Sequence, residues 1–408
     1  MFKSYKNILQ IPGVKGLLFA STISRLPQAM LSIGIITMLV QQTGSYWLAG
    51  AIAGTFSFSC AVFDPQISKL VDRHGQRKIL PIVTIFSVAM LLALIITSCY
   101  QPWSWVLFIF SALAGIRPPM TAMVRARWAF LFRGQPLLKS AFSLDSVVAE
   151  IIFIVGPPLA IYLSTSFHSV AGPLVATIFL CTGVLLFLLQ HKTEPALVQK
   201  KEVQQDSALK TPGILIIVFA LVAMGIIGGA IDVAVVAFSN AHQSPNAASL
   251  IIALYALGAV FGGLVFGAWK THLEIEKQFL YITLLMMLTS MMPLFVNTLP
   301  TLGLAIFIIG LTIAPTMIIA MDIGSSLLPQ SRLTEGLAWM STGITTGVAS
   351  GGALAGIIID HYDISHAFLL ILLAGVAIAT ISMLGFARLK HYLTHARTRH
   401  LNNVRDIS

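Results

Sequence analysis

Four ionisable residues lie inside long apolar runs of this sequence: Arg25, Asp64, Arg117 and Glu150. A charge within such a run costs about 3 kcal/mol if the run crosses a bilayer, so each is a candidate functional residue. Counted at about 1.5 Å per helical residue, all four lie at similar depth towards the same side. Two positive and two negative charges can neutralise one another, exchange protons or bind a charged solute.

The acids and the arginines of this set are suited to different tasks. Burial in the stretch "VVAEIIFIV" favours the neutral form of Glu150, whereas a nearby arginine favours its carboxylate, so Glu150 is predicted to be the principal proton-coupling group, with Asp64 as the next candidate. Arg25 and Arg117 are predicted to bind a substrate anion or to hold an acid ionised. The alternative is a static ion-pair network that fixes helix packing, with Asp64 and Arg117 in a wet vestibule near the interface.

Asp232 is a further candidate, because it follows "GIIGGA" inside another apolar run. We expect it to act as a substrate-binding or gating residue.

The composition predicts a membrane protein built only from helices. Of 408 residues, 57% are hydrophobic, which exceeds the roughly 50% found in soluble proteins. Each apolar run is long enough to cross a hydrocarbon core about 30 Å thick. The sequence predicts twelve transmembrane helices, at roughly 14–40, 46–69, 79–99, 103–124, 141–164, 169–190, 212–239, 247–269, 278–297, 301–325, 335–359 and 364–388.

Basic residues are confined to one side of these spans, which we call the basic side. Apart from Arg25 and Arg117, the remaining 23 of the 25 Lys and Arg lie there, and the opposite loops have none. The positive-inside rule therefore predicts that this side and both termini are cytoplasmic, as in a bacterial inner-membrane protein. Topology and anionic lipids account for the net charge of +10, so we expect no nucleic-acid partner.

A polar stretch divides the spans into two groups of six. Residues 191–211 carry charge, Gln and Pro without a long apolar run, which is typical of a flexible linker. The predicted domains are a bundle over 1–190, the linker, and a second bundle with a basic tail over 212–408. Two repeated halves are the layout of many secondary transporters.

The loop "LVDRHGQRKIL", between spans 2 and 3, resembles the corresponding loop of the major facilitator superfamily, which reads roughly G-x-x-x-D-R-x-G-R-[RK]. The matching residues are Asp72, Arg73, Gly75, Arg77 and Lys78, with one additional residue, Gln76, between the Gly and the Arg-Lys pair. Gly75 permits a tight turn, and the basic residues suit an anionic leaflet. The resemblance implies two six-helix bundles related by a pseudo-two-fold axis.

The same resemblance implies that Asp72 acts as a latch. Its partner would be the start of span 11, near Thr334 and Glu335, where a carboxylate meets a helix N-terminus. Ser68 stands where the family's leading Gly is usual. The alternative is a charge cluster that only sets topology.

Proline pairs interrupt two of the predicted spans. Pro118–Pro119 and Pro157–Pro158 are predicted to break spans 4 and 5 and to free backbone carbonyls there. Gly156 with the second pair resembles part of the exporter motif G-x-x-x-G-P-x-x-G-G, in which Ile152 replaces the first Gly. Ser111 stands where those exporters have an Arg in span 4.

No enzyme signature is present: the sequence has no H-E-x-x-H, no G-x-S-x-G and no G-K-[ST] loop, and its three cysteines lack metal spacing. We therefore predict a monomeric, proton-coupled secondary transporter for a small organic solute, without cofactor or metal. The partial exporter motif favours export by antiport. Proton-coupled uptake of an anionic or zwitterionic metabolite is the alternative, and a membrane-embedded enzyme or transporter-like sensor is more remote.

Overall fold

The computed structural model describes residues 8, 10–11, 13–100, 104–132, 137–190, 193–194, 213–268, 273–328 and 333–405. The described residues form α-helices joined by short loops, with one 3-10 helix at Met292–Phe295. In chain order the α-helices are α1 Val14–Thr43, α2 Tyr46–His74, α3 Gln76–Cys99, α4 Ser104–Ala114, α5 Met120–Leu131, α6 Leu137–Ser166, α7 Ala171–Leu189, α8 Ile214–Ala241, α9 Ala247–Ala268, α10 Ile275–Thr289, α11 Leu299–Leu327, α12 Leu333–His361 and α13 Ile364–Arg405.

The helices confirm the predicted spans. Eleven helices in the described ranges are long and apolar enough to cross a membrane, and α4 is a shorter apolar helix. After a break, α4 leads into α5, and together they occupy the fourth span. The protein is a multi-pass, all-helical membrane protein.

The two proline pairs behave differently. Residues 115–119 between α4 and α5 are not helical, as predicted for Pro118–Pro119. The break predicted at Pro157–Pro158 is wrong, because α6 runs through both prolines without interruption. Gly156 packs directly on α1, where a Cβ would lie 2.8 Å from the Cβ of Ala29. Transmembrane helices tolerate proline where such neighbours hold the helix.

The helices form two compact units, Met1–Lys201 and Glu202–Ser408. In the first unit, α1 packs against α6 and α7; in the second, α8 packs against α12 and α13, and α9 against α11. The first helix of each unit is its most buried, with 78% of the apolar window of α1 and 61% of that of α8 inside the protein. Arg25, near the middle of α1, is fully buried as a result.

Glycines bring helix backbones of the second unit into direct contact. A Cβ on Gly347 of α12 would lie 2.1 Å from the carbonyl oxygen of Val222 on α8. A Cβ on Gly262 of α9 would lie 2.0 Å from the carbonyl oxygen of Leu311 on α11. These contacts have the close approach expected of small-xxx-small faces. Gly267, by contrast, has nothing within 4 Å of its Cβ position.

Candidate functional site

Arg25 is fully buried on α1 and forms an ion pair with Asp145 on α6. Its Nη1 lies 3.0 Å from Oδ1 of Asp145, and the exposed fractions of the two side chains are 0% and 1%. Its Nε also donates a hydrogen bond of 3.3 Å to the carbonyl oxygen of Ser21. The acid that neutralises Arg25 is therefore Asp145, which precedes Glu150 by five residues. The side chain of Glu150 lies outside the described residues.

Asp145 has two further partners and ties three helices together. Its Oδ2 lies 3.5 Å from Nε of Arg125, and its Oδ1 accepts a hydrogen bond of 3.3 Å from the indole of Trp128, both on α5. One buried carboxylate thus forms ion pairs with two guanidinium groups, those of Arg25 and Arg125. The sequence analysis missed Asp145, although an acid near the start of an otherwise apolar span was the available signal.

Arg117 and Asp64 form a second ion pair in the same unit. Nη2 of Arg117 lies 3.6 Å from Oδ2 of Asp64, and the side chains are 13% and 34% exposed. Nε of Arg117 also contacts Sγ of the buried Cys60, at 3.1 Å. Arg117 lies in the non-helical segment between α4 and α5, whereas Asp64 and Cys60 lie one turn apart on α2. The buried Oδ1 of Asp64 has no hydrogen-bond partner among the described side chains and backbone.

Three of the four predicted residues are described, and they fall in two ion pairs. Arg117 pairs with the predicted acid Asp64, whereas Arg25 pairs with Asp145, which was not in the predicted set. Similar depth along the membrane normal does not determine which helix faces meet.

Asp232 lies on α8, half-buried. Tyr255 of α9 is near enough to interact with its charge. In the described part of the chain, Asp232 has no ion pair or side-chain hydrogen bond, which distinguishes it from Asp64 and Asp145.

The loop between α2 and α3 contains the predicted tight turn. Gly75 has a φ of 90° and separates the two helices. Its N–H donates a hydrogen bond of 2.7 Å to the carbonyl oxygen of Val71. Arg77 forms an exposed ion pair with Glu194, with its Nε 3.2 Å from Oε2. Arg73 and Lys78 are exposed.

The latch itself stays a prediction. The side chains of Asp72 and Glu335 lie outside the described residues, although their backbone positions end α2 and begin α12.

Arg127 is buried, although the predicted end of span 4 at residue 124 placed it in the loop between spans 4 and 5. It lies on α5 and is fully buried. Its Nε donates a hydrogen bond of 2.9 Å to Oε1 of Gln76. Its Nη1 donates hydrogen bonds to the carbonyl oxygens of Phe187 and Gln190, at 2.9 and 3.0 Å, and to Oγ1 of Thr193, at 2.9 Å. The guanidinium also lies over the Phe187 ring, 3.6 Å from its centroid. This contact joins α5 to the start of α3 and the end of α7.

A signal for this burial was present in the sequence. Met123, Val124 and Trp128 recur around Arg127 at helical spacing, and all are buried. That apolar stripe predicts that the helix continues past residue 124.

Comparisons with known proteins agree with this architecture. An uncharacterized MFS-type transporter, y4rN, of Sinorhizobium fredii is 26% identical over 415 residues, covering 93% of this chain and 97% of that protein. The solved nucleoside transporter NupG has a TM-score of 0.70 at 12% identity, covering 93% of this chain and 99% of that one. A bacterial homologue of the iron transporter ferroportin has a TM-score of 0.69 at 14% identity, covering 90% and 98%. At such identities the two structures show a shared fold.

The family match covers almost the whole chain. A model of the Major Facilitator Superfamily matches residues 17–240 and again residues 215–403. With twelve spans and two compact units, this protein is a secondary transporter that belongs to the major facilitator superfamily.

Proposed function

We propose that this transporter couples the movement of a small organic solute to protons by alternating access, and that it exports the solute by antiport. Membership of a transporter family supports a small-molecule substrate. The partial exporter motif around Gly156 supports the direction.

The ion pair between Asp64 and Arg117 is the observation that carries the proton coupling. The two groups are 3.6 Å apart, Asp64 is one-third exposed, and its other oxygen has no hydrogen-bond partner in the described structure. Arg117 lies on a non-helical segment. A carboxylate held at membrane depth by one cation exchanges that cation for a proton when the cation moves away. Protonation of Asp64 would therefore release Arg117.

The release of Arg117 provides a physical link between a proton and conformation. In one state the pair is closed, and in the other Asp64 is neutral and Arg117 binds elsewhere. A proton binds Asp64 more tightly in one conformation than in the other. Protonation therefore shifts the relative populations of the two conformations. Glu150, one turn or more beyond Asp145 on α6, is proposed as the second proton-coupling group.

The coupling is tested in proteoliposomes with an imposed pH gradient. The labelled solutes are three aromatic compounds of different charge: benzyltrimethylammonium, benzenesulfonate and phenylalanine. In inverted vesicles with an acidic lumen, antiport accumulates at least one of them, and Asp64→Asn abolishes that accumulation. Equal accumulation by the wild-type protein with and without the pH gradient would contradict proton coupling.

Uptake of an anionic or zwitterionic solute is the second candidate, because Asp145 is shared between Arg25 and Arg125, and an anionic group of the solute could compete for either guanidinium. Symport predicts accumulation of benzenesulfonate or phenylalanine in right-side-out vesicles with an acidic exterior. Accumulation only in inverted vesicles excludes it.

A further inference from the structure

One part of α8 has free space beside it, next to a stretch that is tightly packed. A Cβ on Gly225 or Gly229 would lie 2.2 or 2.0 Å from backbone carbonyl oxygens of α12. A Cβ on Gly228 would instead meet only the hydroxyl of Tyr255 at 3.8 Å and Cγ2 of Val348 at 4.0 Å. Gly228 is partly exposed, and a methyl group there would make only ordinary contacts with α9 and α12, so this side of α8 is less tightly packed than the side at Gly225 and Gly229.

Asp232 follows Gly228 by four residues, so the two lie on one face of α8. Its carboxylate is half-buried, and Tyr255 is its electrostatic neighbour. Neither the carboxylate nor the Tyr255 hydroxyl has a side-chain hydrogen-bond partner within the described ranges.

The sequence supplies no cation to neutralise Asp232 from the surrounding helices. The segments that form α8, α9, α11 and α12 contain no Lys and no Arg, and in α13, which also packs on α8, the first Lys or Arg is Arg388. This differs from the first unit, where Asp64 and Asp145 each have an arginine. An isolated carboxylate at membrane depth is energetically costly, and a bound cation would offset that cost.

We propose that Gly228, Asp232 and Tyr255 form a subsite that binds the positively charged group of the transported solute, an organic ammonium or a similar onium ion. Asp232 supplies the counter-charge. The phenol of Tyr255 offers an acceptor oxygen and a ring face, both of which attract cations. Gly228 leaves room for the substituents of the cation. The substrate class rests on the proposed function, because it presumes that a solute is carried.

The test is binding of a permanent cation to the full-length protein in lipid nanodiscs, measured by equilibrium dialysis without a pH gradient. The probes are tetraphenylphosphonium and tetraphenylborate, which have matched size and opposite charge. We expect saturable binding of the cation, with about tenfold weaker affinity in Asp232→Asn. Asp232→Glu keeps the charge and should stay within about threefold of wild type. The control Asp363→Asn removes an exposed carboxylate of the same unit and should change nothing.

A second variant tests the subsite by shape. Gly228→Ala adds a methyl group 3.8 Å from the Tyr255 hydroxyl without meeting backbone, so it should weaken cation binding while the unfolding temperature stays near that of wild type. The proposal is overturned if the cation does not bind saturably, if Asp232→Asn binds it as wild type does, or if tetraphenylborate depends equally on Asp232.

Failure of this subsite is distinguishable from failure of the proposed function. Binding that depends on Asp232 without any proton-driven flux would refute proton coupling and keep the subsite. Proton-driven flux that survives Asp232→Asn, together with unchanged cation binding, would refute the subsite and keep proton coupling.

Discussion

Two arginines, Arg25 and Arg127, are fully buried in the first unit, but their charges are accommodated differently. Arg25 pairs with the carboxylate of Asp145, whereas Arg127 donates to two backbone carbonyls, an amide and a hydroxyl. Two of those acceptors are carbonyls at the end of α7, where a cation also complements the helix dipole. The Arg127 guanidinium therefore ties α5 to α3 and α7, whereas Arg25 depends on a single buried carboxylate for its counter-charge.

Arg127→Lys tests the structural role. Lysine keeps the charge but cannot reproduce the planar set of donors, so the free energy of unfolding should fall by about 2–3 kcal/mol. Arg125→Lys is the matched control, since that side chain is 55% exposed and should lose well under about 1 kcal/mol. Thermal unfolding in one detergent compares the two, and equal losses would show that the Arg127 contacts contribute little.

Asp145→Asn tests the interior ion pair. It leaves Arg25 buried without its anion, so the free energy of unfolding should fall by about 3–5 kcal/mol. Adding Arg25→Met removes the unpaired charge and should restore most of the stability. If the double variant is as unstable as the single one, the loss arises from something other than the unpaired guanidinium.

At the scale of elements, a break in span 4 determines the position of Arg117, and close glycine contacts determine how α8 packs on α12. Residues 115–119 interrupt the helix in span 4, and Arg117 in this segment contacts α2. On α8, Gly225 and Gly229 pack directly on the backbone of α12. The opposite outcome at Pro157–Pro158 shows that proline alone does not break a helix that a neighbour holds.

Gly347→Ala tests whether backbone contact sets the spacing of α8 and α12. The added Cβ would lie 2.1 Å from the carbonyl oxygen of Val222, so the helices must separate, and the free energy of unfolding should fall by about 2 kcal/mol or more. Gly267→Ala is the control, because its Cβ position has nothing within 4 Å. It should be neutral or slightly stabilising. Similar unfolding temperatures for both variants would contradict the close contact.

The sequence predicted helices better than contacts, for a physical reason. Bilayer thickness sets the length of an apolar run, so all twelve spans could be found from hydropathy. Which side chains meet depends on the rotation and tilt of each helix, and so Asp145 was missed as the partner of Arg25. Arg127 was assigned to a loop because charge was used as a loop signal, which fails for a buried arginine whose hydrogen bonds come from neighbouring helices.

At the scale of the whole molecule, the confinement of 23 basic residues to one side predicts the orientation. Reporter domains fused after Lys210 and after Ser408 should both give the signal of a cytoplasmic location. The same reporter inserted in the opposite loop at residues 243–246 should read on the far side of the membrane. A cytoplasmic reading there, or an external reading at either of the first two sites, would contradict the predicted topology.

The central claim is that a proton on Asp64 drives the solute cycle, and comparing exchange with net flux tests it most directly. In proteoliposomes, solute exchange at equal pH requires binding and alternating access only, whereas accumulation under a pH gradient also requires the coupling acid. Asp64→Asn should retain exchange within about threefold of wild type and lose gradient-driven accumulation altogether. The control Asp363→Asn should retain both. If Asp64→Asn accumulates solute under the gradient as wild type does, the Asp64–Arg117 pair does not couple protons to transport.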